Sequence, residues 1–563
     1  MVKAKVGVRG RRWQMRGPAP PGALMGLPCP PLVRHLLWWR GVRSLRQAHA
    51  FLGEEPEEHS PWSLPDLERA VVKLRRAIEG GELIAVFGDF DVDGVTAAAL
   101  LSQALQELGG QVVTYIPDRF REGYGLNLEA VSQLRRRGAS LLLAADCGTT
   151  ALAEVAAARR LGLEVVVLDH HTITSALPEG AEVVNPKRPD SCYPHPDLAS
   201  VGLAYKLVQA LHEALGRPFP ARRYLDLVAL GTITDLVPLV GENRWLVREG
   251  LKALQHTSRP GLHYLMEEAG LRGRAVDVWA IGWVLGPRLN AAGRLAHASQ
   301  ALRLLLTPDE AEARALAQEL CRLNQERQRL TDAALALAYE LLGEGPQEPI
   351  VLVGHQDISL GVVGLVASRL CDELYRPAFV YAQGQELVRA SGRSIPEVDL
   401  ASLLRSCGGL FVKFGGHRQA AGFTALSSRL PEIREALLEG ASKALAGVTL
   451  APVLHIDAHL PLRSLRGDVL PWLQKLAPHG PGNPEPIFLT QRVEVVQARP
   501  AGPGARHLRL KLKDGDVVWP ALAQGLGSYA PSPGQRVDVV YSLAPGIEGQ
   551  GALELRVHDM APC

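Results

Sequence analysis

The sequence predicts a multidomain α/β protein, in which a long helix joins a parallel-sheet domain to a smaller α/β domain and a β-barrel follows. Three observations predict this fold class. The 563 residues are too many for one core, because domains mostly contain roughly 50–200 residues. Apolar runs alternate with helical patterns between residues 83 and 170 and again between 350 and 440. Short alternating strands, separated by Pro and Gly, begin beyond residue 451.

The first 50 residues are a basic leader. They contain two Lys, eight Arg and no acidic residue, which gives +10, so the remaining chain carries −8 of the net +2. Such a charge would attract a polyanion such as nucleic acid. A solubilising tail or an over-extended translation start is the alternative interpretation. We expect residues 1–50 to be a separate, partly flexible segment.

Four apolar runs predict the strands of the first sheet. Because they are apolar throughout, both faces of each strand should be buried, as in a parallel sheet covered by helices. Ligands of such sheets bind beyond the carboxyl ends of the strands. With the mostly helical stretch that follows, this domain is predicted to cover residues 51–305. The runs are Leu83–Phe87, Val112–Ile116, Leu141–Ala145 and Val165–Leu168.

A long charged segment, Asp309–Leu342, contains neither Gly nor Pro and predicts a connector helix within residues 306–345. A helix of that length spans roughly 50 Å at about 1.5 Å per residue. The second α/β domain should then cover 346–450 and the barrel 451–563. A heptad-like apolar stripe supports the helix. Its positions are Leu316, Leu320, Leu323, Leu330, Ala334, Leu337 and Leu341.

Composition excludes several classes of protein. With 47% hydrophobic and 21% charged residues, the chain is neither disordered nor collagen-like. Its longest apolar runs are far shorter than the roughly 20 residues of a membrane-spanning helix. The seven Cys are scattered without a Cys-x-x-Cys pair. Reduced thiols and a cytoplasmic location are therefore expected.

Acidic and imidazole side chains follow three strands of the predicted sheet and one later segment. Strand ends in one parallel sheet meet at one edge, so these groups should lie close together. So many acids cannot share a site without a cation, because neighbouring like charges force protonation. Mixed Asp and His ligands suit Mn²⁺ or Mg²⁺, and a pair of such ions suits phosphoester hydrolysis. The residues are Asp89, Asp91, Asp93, Asp146, Asp169, His170, His171 and Asp235.

These residues also carry a resemblance. The stretches Asp-Phe-Asp-Val-Asp-Gly, Ala-Asp-Cys-Gly, Asp-His-His and Gly-Thr-Ile-Thr-Asp resemble the four ordered motifs of the DHH phosphoesterase superfamily. Four further stretches resemble its single-strand-specific bacterial exonucleases, namely Pro287–Arg294, Ala390–Ile395, Phe414–His417 and Leu476–Pro486. The match extends from about residue 30 to the C-terminus. It implies a DHH domain, a DHHA1 domain and an OB-type barrel.

The resemblance implies roles for the residues of the first domain. Asp146 would bridge two Mn²⁺ or Mg²⁺ ions, and His171 would contact the scissile phosphate. Arg294 would stabilise the negative charge that develops in the transition state. Asp146, His171 and Arg294 are thus the expected catalytic residues. The expected metal ligands are Asp89, Asp91, Asp93, Asp146, His170 and Asp235.

Further positions are expected to bind the DNA. In the DHHA1 region, Arg393 and the Gly415-Gly416-His417 turn would hold the 5′ phosphate, since Gly allows close backbone approach. In the barrel, Arg509, Lys511 and Lys513 alternate along one strand and so share a face, which suits a track for phosphates. The remaining expected substrate-binding residues are Arg288, Asn290 and Ser391.

The function implied is a metal-dependent exonuclease that degrades single-stranded DNA from its 5′ end to 5′-mononucleotides in repair and recombination. The resemblance further implies a RecQ-type helicase and a single-strand-binding protein as partners, and we expect a monomer without membrane contact. Two alternatives stay open. One is a phosphodiesterase for short oligoribonucleotides, and the other is a non-catalytic DNA-binding replication scaffold.

Overall fold

The computed structural model of the chain describes residues 5–174, 176–343, 348–465, 469–545 and 553–563. These residues form two compact units. The larger unit comprises Ser60–Asp235 and the described part of Glu249–Leu450. The smaller unit comprises the described residues up to His59, Leu236–Arg248 and the described part of Ala451–Cys563. Among the described residues, no helix combines the length and the apolar character needed to cross a membrane.

The first sheet of the larger unit is parallel, as predicted, and has five strands. The four predicted strands are present with boundaries shifted by at most two residues. The middle positions of three of them are fully buried, whereas Gln111–Tyr115 lies at an edge of the sheet and is only half-buried, which differs from the prediction that both faces of each strand are covered. The fifth strand, Ala181–Val184, lies at the edge and was not predicted. The spatial order is Gln111–Tyr115, Leu83–Gly88, Ala139–Ala145, Glu164–Leu168 and Ala181–Val184.

Helices cover this sheet and continue into the helical block. Val92–Glu107 is buried along almost its whole length because the helices Ser200–Ala214 and Leu225–Thr234 pack on it. A π-helical segment, Ala280–Leu285, directly precedes the helix Gly286–Leu295. The other helices are Leu67–Glu79, Leu128–Arg136, Leu152–Arg160, Pro260–Glu268 and Ser299–Leu306, together with the last part of Gly241–Gln255, whose residues up to Arg248 belong to the smaller unit.

The connector is a single helix, Glu310–Leu342. Asp309 caps it by accepting a hydrogen bond from the Glu312 amide at 2.6 Å. The buried face differs from the predicted leucine stripe, since Leu341 is half exposed. Small side chains occupy most of the buried positions, which lets the helix approach its neighbours closely. These positions are Ala313, Ala317, Leu320, Leu323, Asn324, Thr331, Ala334 and Ala338.

A second α/β fold completes the larger unit. Its five-stranded sheet is mixed, because only the last two strands in the spatial order are parallel to each other. The order is Lys413–Gly416, Ala420–Leu426, Leu387–Arg393, Ala378–Gln383 and Val351–His355. Its helices are Val363–Leu374, Leu400–Ser406 and Leu430–Ala444.

The smaller unit contains the expected barrel. Phe488–Ala501 pairs with both His507–Asp514 and Arg536–Pro545, which closes the sheet. Leu508, Leu510 and Leu512 are buried inside it. The remaining strands are Ala458–His459, Val517–Ala523 and Leu553–Pro562, and a short helix covers Val469–Gln474.

The described part of the basic leader is folded onto this barrel, which differs from the flexible segment expected for residues 1–50. Its strand Arg12–Met15 pairs with Val453–Ile456, and helices cover Pro31–Trp39 and Leu45–Leu52. The physical reason is apolar burial. Leu36, Leu37 and Phe51 join the hydrophobic cluster of the barrel, and the Trp13 indole donates to Asp559 at 3.0 Å.

A second difference concerns Leu236–Arg248, which belongs to the smaller unit although the sequence suggests one continuous domain over 51–305. Arg244 explains this placement. Its buried guanidinium donates to the carbonyls of Phe51, Ala477 and Pro478 at 2.8–2.9 Å. A buried cation needs such partners, so this arginine fixes the segment to the smaller unit.

Candidate metal centre

The predicted acids meet at the carboxyl edge of the parallel sheet. Asp89 and Asp146 directly follow neighbouring strands, and His170 is the second residue after the end of the next strand. Asp146 has a positive φ of 67°, an uncommon conformation for a residue other than glycine. Its carboxylate accepts a hydrogen bond from the Ser200 hydroxyl at 3.0 Å. Backbone strain at this position is consistent with a functional role.

Two further acids lie in the first turn of Val92–Glu107. Asp91 caps this helix and accepts a hydrogen bond from the Gly94 amide at 3.1 Å. Asp93 is buried and accepts from the Ser200 and Val201 amides at 2.7 and 2.9 Å. These amides begin the helix Ser200–Ala214, so the helix dipole favours the carboxylate. Gly94 is required, because a Cβ there would lie 2.5 Å from the Asp89 nitrogen.

His170 lies among three of the carboxylates. Its Nε2 is 3.4 Å from an oxygen of Asp146, 3.4 Å from one of Asp235 and 4.0 Å from one of Asp93. The potential ligand atoms form three overlapping sets, within each of which all atoms lie within 4.8 Å of one another, and Asp146 and His170 each belong to two sets. The sets are Asp146 with His170 and His171, Asp93 with His170 and Asp235, and Asp89 with Asp91 and Asp146.

The electrostatics of the cluster favour a bound cation. Burial and the adjacent acids raise the pKa of Asp93 to about 7 and that of Asp235 to about 9. Burial and the same neighbours also raise the pKa values of Asp89 and Asp146. Carboxyls this close ionise together only if a positive charge compensates them.

Unpartnered ligand atoms support the same conclusion. Burial lowers the pKa of His170 to about 3, so its imidazole is neutral and can ligate a metal. Among the described residues, neither His170 ring nitrogen has a hydrogen-bond partner, nor does Oδ1 of Asp89. Buried polar atoms are normally satisfied. The donor set therefore fits Mn²⁺ or Mg²⁺, which accept carboxylate and imidazole ligands.

Asp169 and His171 form a separate pair beside this cluster. Asp169 accepts from the Thr149 amide at 2.9 Å and lies 2.7 Å from Nδ1 of His171. Although burial opposes it, these hydrogen bonds hold the pKa of Asp169 below its usual range. Burial alone would lower the pKa of His171, but Asp169 outweighs it and raises that pKa. The pair thus favours the protonated form of His171 at the rim of the site.

Three side chains of the site were not predicted. The Tyr124 hydroxyl lies 3.2 Å from the His171 ring nitrogens and donates to the Asp146 carbonyl at 3.2 Å. Asn185 donates to the His171 carbonyl at 3.0 Å, and Ser200 holds Asp146 and Asp93 as described. Asn185 directly follows the edge strand, so recognition of Ala181–Val184 would have placed it at the same edge.

Arg119 and Arg294 lie near Asp91, and Arg393 of the second α/β fold lies near Arg294. Burial, reinforced by the charges of Arg119, Arg327 and Arg393, lowers the pKa of Arg294 to about 9, and Asp91 opposes the shift. The Arg294 guanidinium lies 3.4 Å from the Gly361 carbonyl of the second fold. Such a group of cations suits an anionic ligand such as a phosphate. Arg119 was not predicted.

The other expected substrate residues differ in their surroundings. Arg288 is half-buried and donates to the Val284 carbonyl at 2.7 Å and toward the Cys321 sulfur at 3.3 Å. Asn290 is half-buried on the same helix as Arg294. Arg393 donates to the Ser391 hydroxyl at 3.3 Å, so the second fold holds these two side chains together.

The glycine turn of the second fold is open. A Cβ at Gly415 would meet nothing within 4 Å, whereas one at Gly416 would lie 2.4 Å from the Ala420 carbonyl oxygen. Gly416 also has a φ of 136°, which excludes most other residues. The exposed His417 is held by its amide, which donates to Ala420 at 2.7 Å. The turn therefore presents accessible backbone.

The expected phosphate track of the barrel is exposed. Arg509, Lys511 and Lys513 alternate with buried leucines along His507–Asp514. Strand register adds a residue that was not predicted, because Arg499 on the neighbouring strand lies opposite Arg509 and is also exposed. The structure brings these cations to one face of the sheet.

A parallel sheet with an acid and histidine cluster beside an arginine-lined second fold is typical of the DHH class of metal-dependent phosphoesterases. Family models agree. The DHH family N-terminal domain matches residues 83–232, the DHHA1 domain matches 347–443, and the RecJ OB domain matches 456–559.

The chain belongs to the RecJ family of single-stranded-DNA-specific exonucleases. It is 34% identical to RecJ of Salmonella typhimurium, with 95% of this chain and 96% of the relative covered. It is 39% identical to RecJ of Thermus thermophilus over 84% of this chain and 68% of the relative. RecJ of Bacillus subtilis is 35% identical over 91% of this chain, which spans 65% of that relative's length.

Solved structures agree with this assignment. RecJ of Thermus thermophilus in complex with Mn²⁺ matches with a TM-score of 0.83 and 34% identity, covering 98% of this chain and 79% of that one. The corresponding complex with Mg²⁺ matches with a TM-score of 0.78 and 32% identity over 98% of this chain and 78% of that one.

Proposed function

We propose that this chain is a Mn²⁺- or Mg²⁺-dependent exonuclease that hydrolyses single-stranded DNA from the 5′ end and releases 5′-mononucleotides in DNA repair and recombination. The observation that carries the proposal is the buried acid cluster opposite Arg294. The relatives of this chain in its family are named single-stranded-DNA-specific exonucleases.

Six residues would hold two divalent cations. Asp146 belongs to two of the ligand sets and is therefore the candidate to contact both cations. When bound, such cations lower the pKa of water and neutralise charge on a phosphoester. The residues proposed to hold these cations are Asp89, Asp91, Asp93, Asp146, His170 and Asp235.

The residues beside the cluster would act on the scissile phosphate. Asp169 orients His171 and favours its protonated form, so His171 can donate to a phosphate oxygen. Arg294 would neutralise the charge that develops on that phosphate, because a guanidinium offers several N–H donors in a fixed geometry.

The second fold would hold the 5′ end. Arg393, kept in place with Ser391, would pair with the terminal phosphate, and the open backbone of Gly415 would approach it with His417. Arg288 and Asn290 would line the path of the strand. Only an unpaired strand could reach the half-buried Arg294, since a duplex is far wider.

The barrel would retain the strand through Arg509, Lys511 and Lys513. Contacts to phosphates are independent of sequence, which suits an enzyme that degrades any strand. We place the enzyme in the cytoplasm as a monomer. A RecQ-type helicase would supply unpaired strands, and a single-strand-binding protein would be displaced from them.

Digestion of matched oligonucleotides tests the proposal. Single-stranded DNA blocked at its 5′ or 3′ end, duplex DNA and RNA are incubated with enzyme and Mn²⁺ or Mg²⁺. We expect mononucleotides from single-stranded DNA and none when the 5′ end is blocked. Preference for short RNA would instead identify an oligoribonucleotide phosphodiesterase, and binding without cleavage would identify a scaffold.

A further inference from the structure

Two tryptophans project from the helical block into solvent. Trp283 is 74% exposed and Trp279 is 56% exposed. Exposing the apolar rings of an indole to water is unfavourable. Two exposed tryptophans one turn apart therefore indicate a binding surface. They lie at a π-helical segment, Ala280–Leu285, and π-helical turns are frequent at functional sites.

The tryptophans share one side of the helical segment with residues of the active site. The π-helical segment continues without a break into Gly286–Leu295. Residues spaced by three or four positions lie on the same side of a helix. The stripe consists of Trp279, Trp283, Pro287, Asn290 and Arg294.

One end of this stripe lies beside the metal centre, because the charge of Asp91 acts on Arg294. Arg294 lies eleven positions after Trp283, which corresponds to about 16 Å at 1.5 Å per residue. Stacked nucleotides repeat roughly every 3.4 Å along one strand, so this distance equals about five nucleotides. A strand whose phosphate lies at Arg294 can therefore place later bases at the tryptophans.

We propose that Trp279 and Trp283 form a base-stacking platform for single-stranded DNA, about five nucleotides from the scissile phosphate on its 3′ side. This inference rests on the proposed function. Stacking on an indole is independent of sequence because every base has an aromatic face. Arg288, whose guanidinium bonds the Val284 carbonyl, adds a cation beside the platform that suits DNA. A protein partner at this face is the competing occupant.

Binding to oligonucleotides with local base removal tests the platform. The probes are a 3′-labelled dT20 and the same strand with abasic residues at positions 4–9 from the 5′ end. Affinity is measured by fluorescence anisotropy in the Asp146→Asn background, in which the probe should stay intact. The variants are Trp279→Ala with Trp283→Ala, the same two positions changed to Phe, and Trp62→Ala as control. Trp62 is 38% exposed and its indole donates to Glu213 instead.

We expect the double alanine variant to bind dT20 about 10- to 100-fold more weakly, since each stacked base contributes roughly 1–3 kcal/mol. Its preference for dT20 over the abasic probe should largely disappear, and the Phe variant should restore most of both. Trp62→Ala should match the parent. Unchanged dT20 affinity, or an equal loss for both probes, would overturn the platform and favour a protein partner. Failure of the parent to bind dT20 would instead overturn the proposed function.

Discussion

The metal centre and the basic face of the barrel use charge in opposite ways. At the sheet edge the carboxylates are buried or half-buried, and backbone amides or a hydroxyl fix Asp91, Asp93 and Asp146. On the barrel, Arg509 and Lys511 extend into water. Fixed groups in a site that excludes water suit chemistry, whereas exposed cations attract a polyanion and are screened by salt. The comparison predicts that variants at the metal centre lose cleavage, whereas variants on the barrel lose DNA binding.

The largest effect is expected for Asp146→Ala. It removes a ligand shared by two of the atom sets, so single-strand cleavage should fall at least about 10³-fold. Binding of dT20 should stay within a few-fold of wild type, because the barrel is unchanged. Single-turnover cleavage and anisotropy measure the two quantities. Asp190→Ala, at an exposed acid paired with Arg188, is the control and should cleave normally. Cleavage by Asp146→Ala near the wild-type rate would contradict the separate roles of the metal centre and the barrel.

Arg294→Lys is expected to have a smaller but still catalytic effect. Lysine keeps the charge and loses the forked donor geometry, so kcat should fall about 10²-fold. KM should change much less than kcat if the contact strengthens in the transition state. Steady-state kinetics on dT20 separate the two terms. A rise in KM alone would assign Arg294 to strand binding rather than to catalysis.

Substitutions on the barrel should weaken DNA binding without lowering kcat. Changing Arg509, Lys511 and Lys513 to Ala should weaken dT20 binding about 10-fold near 0.15 M salt. The slope of log affinity against log salt should decrease by about 2, because each phosphate contact on a single strand contributes roughly 0.7. Arg322→Ala with Arg329→Ala, at exposed cations paired along the connector helix, is the control. A reduced kcat with an unchanged salt slope would contradict the assigned role.

The smallest effect concerns the pH dependence of stability in the smaller unit. Burial, reinforced by Arg40 and Arg244, lowers the pKa of His479 to about 3. Since the folded pKa lies below the unfolded value, the neutral imidazole stabilises the fold above roughly pH 6.5. This stability is lost as the pH falls toward 3. His479→Gln should reduce the loss between pH 8 and pH 5 by about 1–2 kcal/mol in urea unfolding. An identical pH dependence in both proteins would contradict the shift.

The sequence was sufficient to predict the elements whose pattern is local. The first sheet and its strand-end acids could be placed because Asp89, Asp146 and Asp169 each directly follow a largely apolar strand. The exposed lysines of the barrel could be placed because a strand alternates its faces. In both cases one segment alone determines where the side chain points.

The remainder depends on contacts between distant segments. Tyr124 and Arg119 lie on a loop whose path is set by the packing around it. Arg499 meets Arg509 only through strand register. The charge of the leader predicted a partly flexible segment, but its Leu36 and Leu37 pack into the hydrophobic cluster of the barrel. Such long-range pairings leave no periodic signal in the chain.

Manganese binding tests the central claim that the strand-end residues form a paired cation site. Titration of metal-free protein with Mn²⁺, followed by the electron paramagnetic resonance signal of the free ion, gives the number bound and their affinity. We predict two Mn²⁺ per chain for wild type. Because Asp146 contributes to two of the ligand sets, Asp146→Asn should weaken binding at least about 10-fold. Two tightly bound ions that are unaffected by Asp146→Asn would contradict the account.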